Sequence, residues 1–161
     1  MTEKRGNPIY TGMTKHMDKE AGFAVWLPSD WTIFEMKKDH RGWIFSPYKE
    51  HFNTSFTVEK FKLKYDSTPK DLPILQEGFE QGIQALPGIE IESIKGEALT
   101  LIVILEARFT FLEGEARRKR WVKNIYWGNG QLVMIAQGET PEDFEYWLPM
   151  FFNTMMTMEF V

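Results

Sequence analysis

The sequence predicts an α+β fold, a three-layer α/β/α sandwich with a mostly antiparallel sheet and one helix on each face. Three observations carry that expectation. Short apolar or alternating stretches recur along the chain, punctuated by Gly, Pro, Asn and Asp. Two segments instead repeat apolar residues at three- and four-residue steps, as amphipathic helices do. The last strands are apolar on both faces, whereas a hairpin sheet with one wet face alternates cleanly. Two apolar faces need two covers, and two helices supply them.

The elements follow in order. Residues 22–27 (GFAVWL) read as a strand that Pro28-Ser29-Asp30 ends. Residues 31–37, 42–47 and 54–63 read as three more. Trp31 is expected to be buried at the end of the sheet, locking the turn at Pro28. Residues 70–86 form the first helix, with Leu72, Leu75, Phe79, Ile83 and Leu86 on one stripe and Pro87-Gly88 as the stop. Gly78 and Gly82 lie beside that stripe, where each costs about 1 kcal/mol relative to Ala. Close packing on the sheet accounts for them; a ligand groove is the sharper reading. Strands follow at 89–95, 100–112, 116–127 and 131–137. Glu113-Gly114-Glu115 and Gly128-Asn129-Gly130 are read as hairpin turns between the last three. The second helix starts at Pro141 behind an N-cap at Thr140 and runs towards Met158. Phe144, Trp147, Leu148, Phe151, Phe152 and Met155 make its buried arc, and Pro149 predicts a kink or break.

A chain of 161 residues predicts one domain and buries roughly 70% of its unfolded surface. Residues 1–20 are expected as a flexible N-terminal arm and residues 21–161 as a single α/β/α domain. Aromatic residues make up 15% of the chain, so the core is expected to be built on them. The net charge of -4 gives no support to a nucleic-acid reader, which needs a basic face. Cysteine is absent, which excludes disulfides, thiol catalysis and cysteine-ligated metals. The first residues hold no apolar core of a signal peptide, and no run is long enough for a membrane span. With Met1 in place, a cytoplasmic protein is expected; the alternative is a secreted protein whose signal was trimmed.

The opening GFAVWLPSDW is an aromatic strand closed by a Pro turn and a Trp. With the order strands, helix, meandering strands, C-terminal helix, it resembles the PsbP-like superfamily, which includes many small bacterial proteins of unknown role. The resemblance spans roughly residues 23–158 and rests on Pro28, Trp31 and topology. It implies an α/β/α sandwich and a binding or accessory role, and it transfers no functional residue.

A search for chemistry is sparse. His16 falls in the expected arm, and His40 and His51 in loops, too scattered for a zinc set even with Asp39 near His40. Neither a nucleophile elbow nor a dinucleotide or P-loop signature is present. Glu90 and Glu92 share one face of a strand and are read as solvated. No metal, no cofactor and no enzymatic activity are expected. The basic run places Arg118 and Arg120 on one strand face and Arg117, Lys119 and Lys123 on the other. It reads as a hairpin end neutralised by Glu113 and Glu115, or as a patch for an acidic partner beside Trp121. Tyr146 and Met150, with Asn153 beside them, lie opposite the buried arc of the second helix as a partner or homodimer surface. The sequence therefore predicts a non-enzymatic module contacting a protein partner. The alternative is a small hydrophobic-ligand binder with a cavity between sheet and helix, a helix-grip arrangement with Gly78 and Gly82 at its groove.

Overall fold

The computed structural model describes residues 5–9 and 11–161. Among the described residues, nine strands and two α-helices occur in the order β1 (Met13–Asp18), β2 (Phe23–Pro28), β3 (Thr32–Glu35), β4 (Arg41–Ser46), β5 (Ser55–Ser67), α1 (Leu72–Gln84), β6 (Glu90–Ala98), β7 (Val103–Glu113), β8 (Ala116–Gly138), α2 (Pro141–Met156) and β9 (Glu159–Phe160). They form two antiparallel sheets, six strands in the order β3-β4-β5-β8-β7-β6 and three in the order β1-β2-β9. The class is α+β, as expected. The single sheet is not: β2 leaves the main sheet and builds the small one.

The expected arm is corrected in the same way. Met13–Asp18 pairs with β2 along its whole length, Met13 opposite Pro28 and Asp18 opposite Phe23. Its mostly polar side chains hid it, because β1 contributes backbone hydrogen bonds rather than an apolar face. Residues 1–4 and Tyr10 of that arm lie outside the described residues.

The largest correction concerns β8. The turn read at Gly128-Asn129-Gly130 is not a hairpin; one strand of 23 residues runs through it. Residues 116–126 pair with β7, and residues 128–137 pair with β5. Gly128 takes φ +50° at the changeover, a conformation that an L side chain strains to adopt. Opposite it, β5 loses register between Lys62 and Ser67. The bend thus joins β3-β4-β5 on one half of β8 to β6-β7 on the other. The turn at Gly114 does close a hairpin, with Glu113 opposite Ala116.

Side chains alternate along β8. Trp121, Ile125, Leu132, Met134 and Ala136 join a core with Phe144, Met150, Phe151 and Met155 of α2 and with Phe23, Val25 and Leu27 of β2. Val122, Val133 and Ile135 join Phe79 and Ile83 of α1 with Ala107, Phe109 and Phe111 of β7. Trp31 is buried, 6% exposed, donates its backbone N–H to the Pro28 carbonyl at 3.1 Å, and its ring packs edge-on against Trp147 and Phe151. At the far end of β8, the backbone of Phe144 comes so close to Gly138 that a Cβ there would lie 2.3 Å from its nitrogen. That contact seats the start of α2 on the sheet. The strand expected from Thr100 begins at Val103, and Leu101 sits at an exposed hairpin tip.

Candidate functional site

α2 runs unbroken through Pro149, yet its buried face differs from the expected arc. Phe144, Phe151 and Met155 are buried as expected; Met150 is also buried, and Phe152 is 48% exposed. The reason is the small sheet. α2 packs on β2 as well as on β8, and Met150 shares one core with Phe23, Val25 and Leu27 of β2, a cover that the one-sheet expectation lacked. The other side, with Leu148 and Phe152, looks across at β7.

An open groove of about 510 Å³ lies there, lined by Arg108, Glu145, Leu148, Pro149, Phe152 and Asn153. Its geometry follows from strand alternation. Ala107 and Phe109 of β7 point to α1, so Arg108 between them points to α2. Arg108 stands opposite Trp121 in the register, and its guanidinium lies 4.4 Å from the centre of that ring. Phe152 stacks on the same ring at 6.2 Å. The Trp121 indole N–H donates to Glu106 Oε1 at 2.7 Å, and Lys95 Nζ is 3.6 Å from the other oxygen of that carboxylate. Among the described residues, no carboxylate comes within ion-pair distance of Arg108. The groove thus combines an apolar shelf with an Arg108 that forms no ion pair among the described residues, and the Glu145 carboxylate on its rim is taken up by Lys119. Such a surface can hold an apolar group next to an anionic one. Arg108 was not singled out from sequence, and Phe152 was read as part of the buried arc; the signal for Arg108 was its place with Glu106 on one face of a largely apolar strand.

The expected sites fare differently. Asn153 lines the groove. Met150 is only 1% exposed and belongs to the core, so it cannot form a surface with Tyr146. Tyr146 is partly exposed, and its ring carries the Arg5 guanidinium at 3.4 Å. Gly78 and Gly82 sit on the exposed side of α1 with no atom within 4 Å of an added Cβ. They do not pack closely on the sheet, and neither is among the residues that line the groove beside α2.

The basic run is largely absorbed into the fold. Arg118 donates to the Glu139 carbonyl at 2.9 Å and lies 3.8 Å from Glu113, the expected counter-charge. Arg120 donates to Gln137 at 2.6 Å and covers Phe111, and burial pushes its pKa down. Arg117 reaches the Gly88 carbonyl and Thr110, both at 3.0 Å. Lys119 is buried between Glu92 and Glu145, each at 2.6 Å. Burial lowers its pKa, but the two carboxylates outweigh burial and leave it raised. Glu92 reaches Lys119 from a bulge between Ile91 and Ser93, which breaks the two-residue period that put Glu90 and Glu92 on one solvated face.

The histidines stay apart. His16 of β1 packs edge-on to Trp43 and Phe45 at 4.3 and 5.3 Å, and its buried Nε2 has no hydrogen-bond partner among the described residues. His40 pairs with Glu59 at 2.7 Å, and His51 stands 3.6 Å from Glu139. Among the described residues, no three metal-ligating side chains come together, and no helix is long and apolar enough to cross a membrane.

This architecture is the PsbP-like fold. Among solved structures the chain is similar to the cyanobacterial PsbP (CyanoP) of Synechocystis sp. PCC 6803, with a TM-score of 0.64 and 10% identity over 99% of this chain and 98% of that one. It is similar also to LpqN of Mycobacterium tuberculosis, described as involved in cell envelope biogenesis (TM-score 0.61, 12% identity, 91% of this chain and 89% of that one). A third is the Ran-binding protein Mog1p of Saccharomyces cerevisiae (TM-score 0.53, 8% identity, 93% and 96%). At these identities the likeness is one of fold. No protein-family model and no curated protein matches the chain.

Proposed function

We propose that this chain is a non-enzymatic accessory or binding module that contacts a protein partner through the groove between α2 and β7. The observation that carries the reading is Arg108, stacked on Trp121 beside the exposed ring of Phe152 and, among the described residues, in no ion pair. Arg and aromatic residues in a shallow depression are the anchors that protein interfaces favour. The fold supports the reading, since one of its bearers is described as a Ran-binding protein. The groove is open rather than enclosed, which suits a protein segment better than a sequestered small ligand.

We read the folded unit as one domain that begins at β1, with α1 on one face of the six-stranded sheet and α2 with the small sheet on the other. The alternating partners of β8 support this layering. The cytoplasmic placement stays the working assignment; the likeness to an envelope-biogenesis protein supports the secreted alternative, and fractionation of the native host decides between them.

Capture from native-host lysate tests the reading. The wild-type chain should retain a partner that Arg108→Glu and Phe152→Ser lose while both variants melt like the wild type. Equal capture by all three would remove the groove from the account.

A further inference from the structure

A second constellation lies at the start of α2. Asp143 stands three residues after the N-cap Thr140, whose side chain accepts its N–H at 3.0 Å. The Asp143 side chain is only 10% exposed, yet it accepts three side-chain donors. Tyr48 donates its hydroxyl to Oδ1 at 2.9 Å, Thr54 donates to Oδ2 by a short hydrogen bond, and Arg5 donates to Oδ1 at 2.6 Å. The two hydroxyls are held in that sense. The Trp147 indole N–H donates to the Tyr48 oxygen at 3.2 Å, and the Glu139 N–H donates to the Thr54 oxygen at 2.9 Å. Each hydroxyl already accepts a hydrogen bond, so its own proton turns to the carboxylate. The first turn of a helix further favours a negative charge. The same Arg5 guanidinium lies 3.4 Å from the centre of the Tyr146 ring, itself braced edge-on by Trp147 at 4.9 Å.

Every part of this receptor belongs to the folded body except the cation. Arg5 comes from segment 5–9, which has no regular structure and ends on an Ile9 that is 82% exposed. The Arg5 side chain hydrogen-bonds that segment to the body. A guanidinium suits the site because one planar group can both donate to a carboxylate and lie over an aromatic ring.

We propose that Asp143, Tyr48 and Tyr146 form a guanidinium-binding site that Arg5 fills as an internal stand-in, and that an arginine side chain of a partner protein replaces it. Tethering gives Arg5 an effective concentration in the millimolar range. A free arginine competes poorly against that, whereas a partner with further contacts displaces it. The arm therefore screens for partners and keeps the charge of Asp143 compensated between encounters. The proposal does not rest on the groove.

The test uses the full chain with Arg5→Ala and N-acetyl-arginine amide as the probe, read from the NMR shift of the Trp147 indole N–H. The variant should bind the probe at least about tenfold more tightly than the wild type. The matching blocked lysine should bind more weakly, and Tyr146→Leu in the Arg5→Ala background should weaken arginine binding several-fold. Equal binding by variant and wild type would overturn the proposal, as would equal affinity for the two probes, which marks an undifferentiated negative patch. Loss of the native circular dichroism spectrum in Arg5→Ala would overturn it too, because the site would then not exist without its own occupant.

Discussion

Trp31 carries more of the fold than its position in a turn suggests. Its ring meets Trp147 and Phe151 of α2, so the loop between β2 and β3 is tied to a helix more than a hundred residues later. Trp31→Ala should cost about 3–5 kcal/mol in urea unfolding, the usual loss for a buried large aromatic. A melt within error of the wild type would contradict that contact. His16 and Asp18 make acid pH a second probe. Burial against Trp43 and Phe45 holds the His16 pKa below its ordinary value, although Asp18 pulls it the other way. Stability from a neutral His16 is therefore present above about pH 6.5 and is lost as pH falls through the lower folded value. For Asp18, burial raises the pKa, but hydrogen bonds from the Ala21 N–H, Trp43 and Arg41 prevail and leave it lowered. Its contribution is present above about pH 3.9 and drains away at still lower pH. The urea midpoint should fall in two stages on acidification. His16→Gln should flatten the upper one; an unchanged slope would assign it to other groups.

At the scale of elements, the two helices give opposite expectations. Gly78 and Gly82 occupy interior turns of α1 with open space around them and no positive φ. Each changed to Ala should raise stability by up to about 1 kcal/mol, measured by chemical denaturation. A loss would reveal a close neighbour where the structure shows none. On α2, Met150→Ala should cost about 2–5 kcal/mol, whereas Phe152→Ala should cost under about 1 kcal/mol. The pair inverts what helical periodicity alone indicates, and the cause is physical. An amphipathic stripe reports that a helix has a buried side; the edges of that side depend on its neighbours. Leu148, Phe151, Phe152 and Met155 read as one continuous arc until β2 is placed against Met150. Strand existence was legible because β2 to β7 carry apolar residues at the right spacing. β1 was not, because strand pairing uses backbone groups that every residue has.

For the whole molecule, the PsbP-like fold was visible from the order of elements and the turn at Pro28, and the division into two sheets was not. Gly128-Asn129-Gly130 shows why. The same residues allow a tight hairpin or a bend within one strand, since both need a backbone that visits positive φ. Only the partner strands decide, and those lie far away in sequence. Arg5, Asp143 and Arg108 were illegible for the same reason. A charged residue in an arm, a helix cap or a strand looks ordinary until the other half of its contact is known. Buried Lys119 extends the acid–base account to the molecule's other limit, joining β6, β8 and α2 through Glu92 and Glu145. Its pKa is raised in the folded state, so its contribution is present below about pH 10.4 and is lost as pH rises through the folded value. Lys119→Met should remove that alkaline decline.

Strand β8 also sets a timetable. β5 is complete at Ser67, but its inner neighbour is the stretch of β8 that ends at Gln137. At ~5–20 residues per second a ribosome needs several seconds to supply it. Throughout that interval the nascent chain carries Phe56 and Val58 on a strand with one bare edge, the arrangement that invites pairing with a neighbouring polypeptide. When the second half of β8 emerges it closes that edge and brings β6 and β7 with it. The sheet is therefore finished only once residue 137 has emerged, and chaperones that hold emerging chains have their longest claim on this sheet before that residue leaves the tunnel.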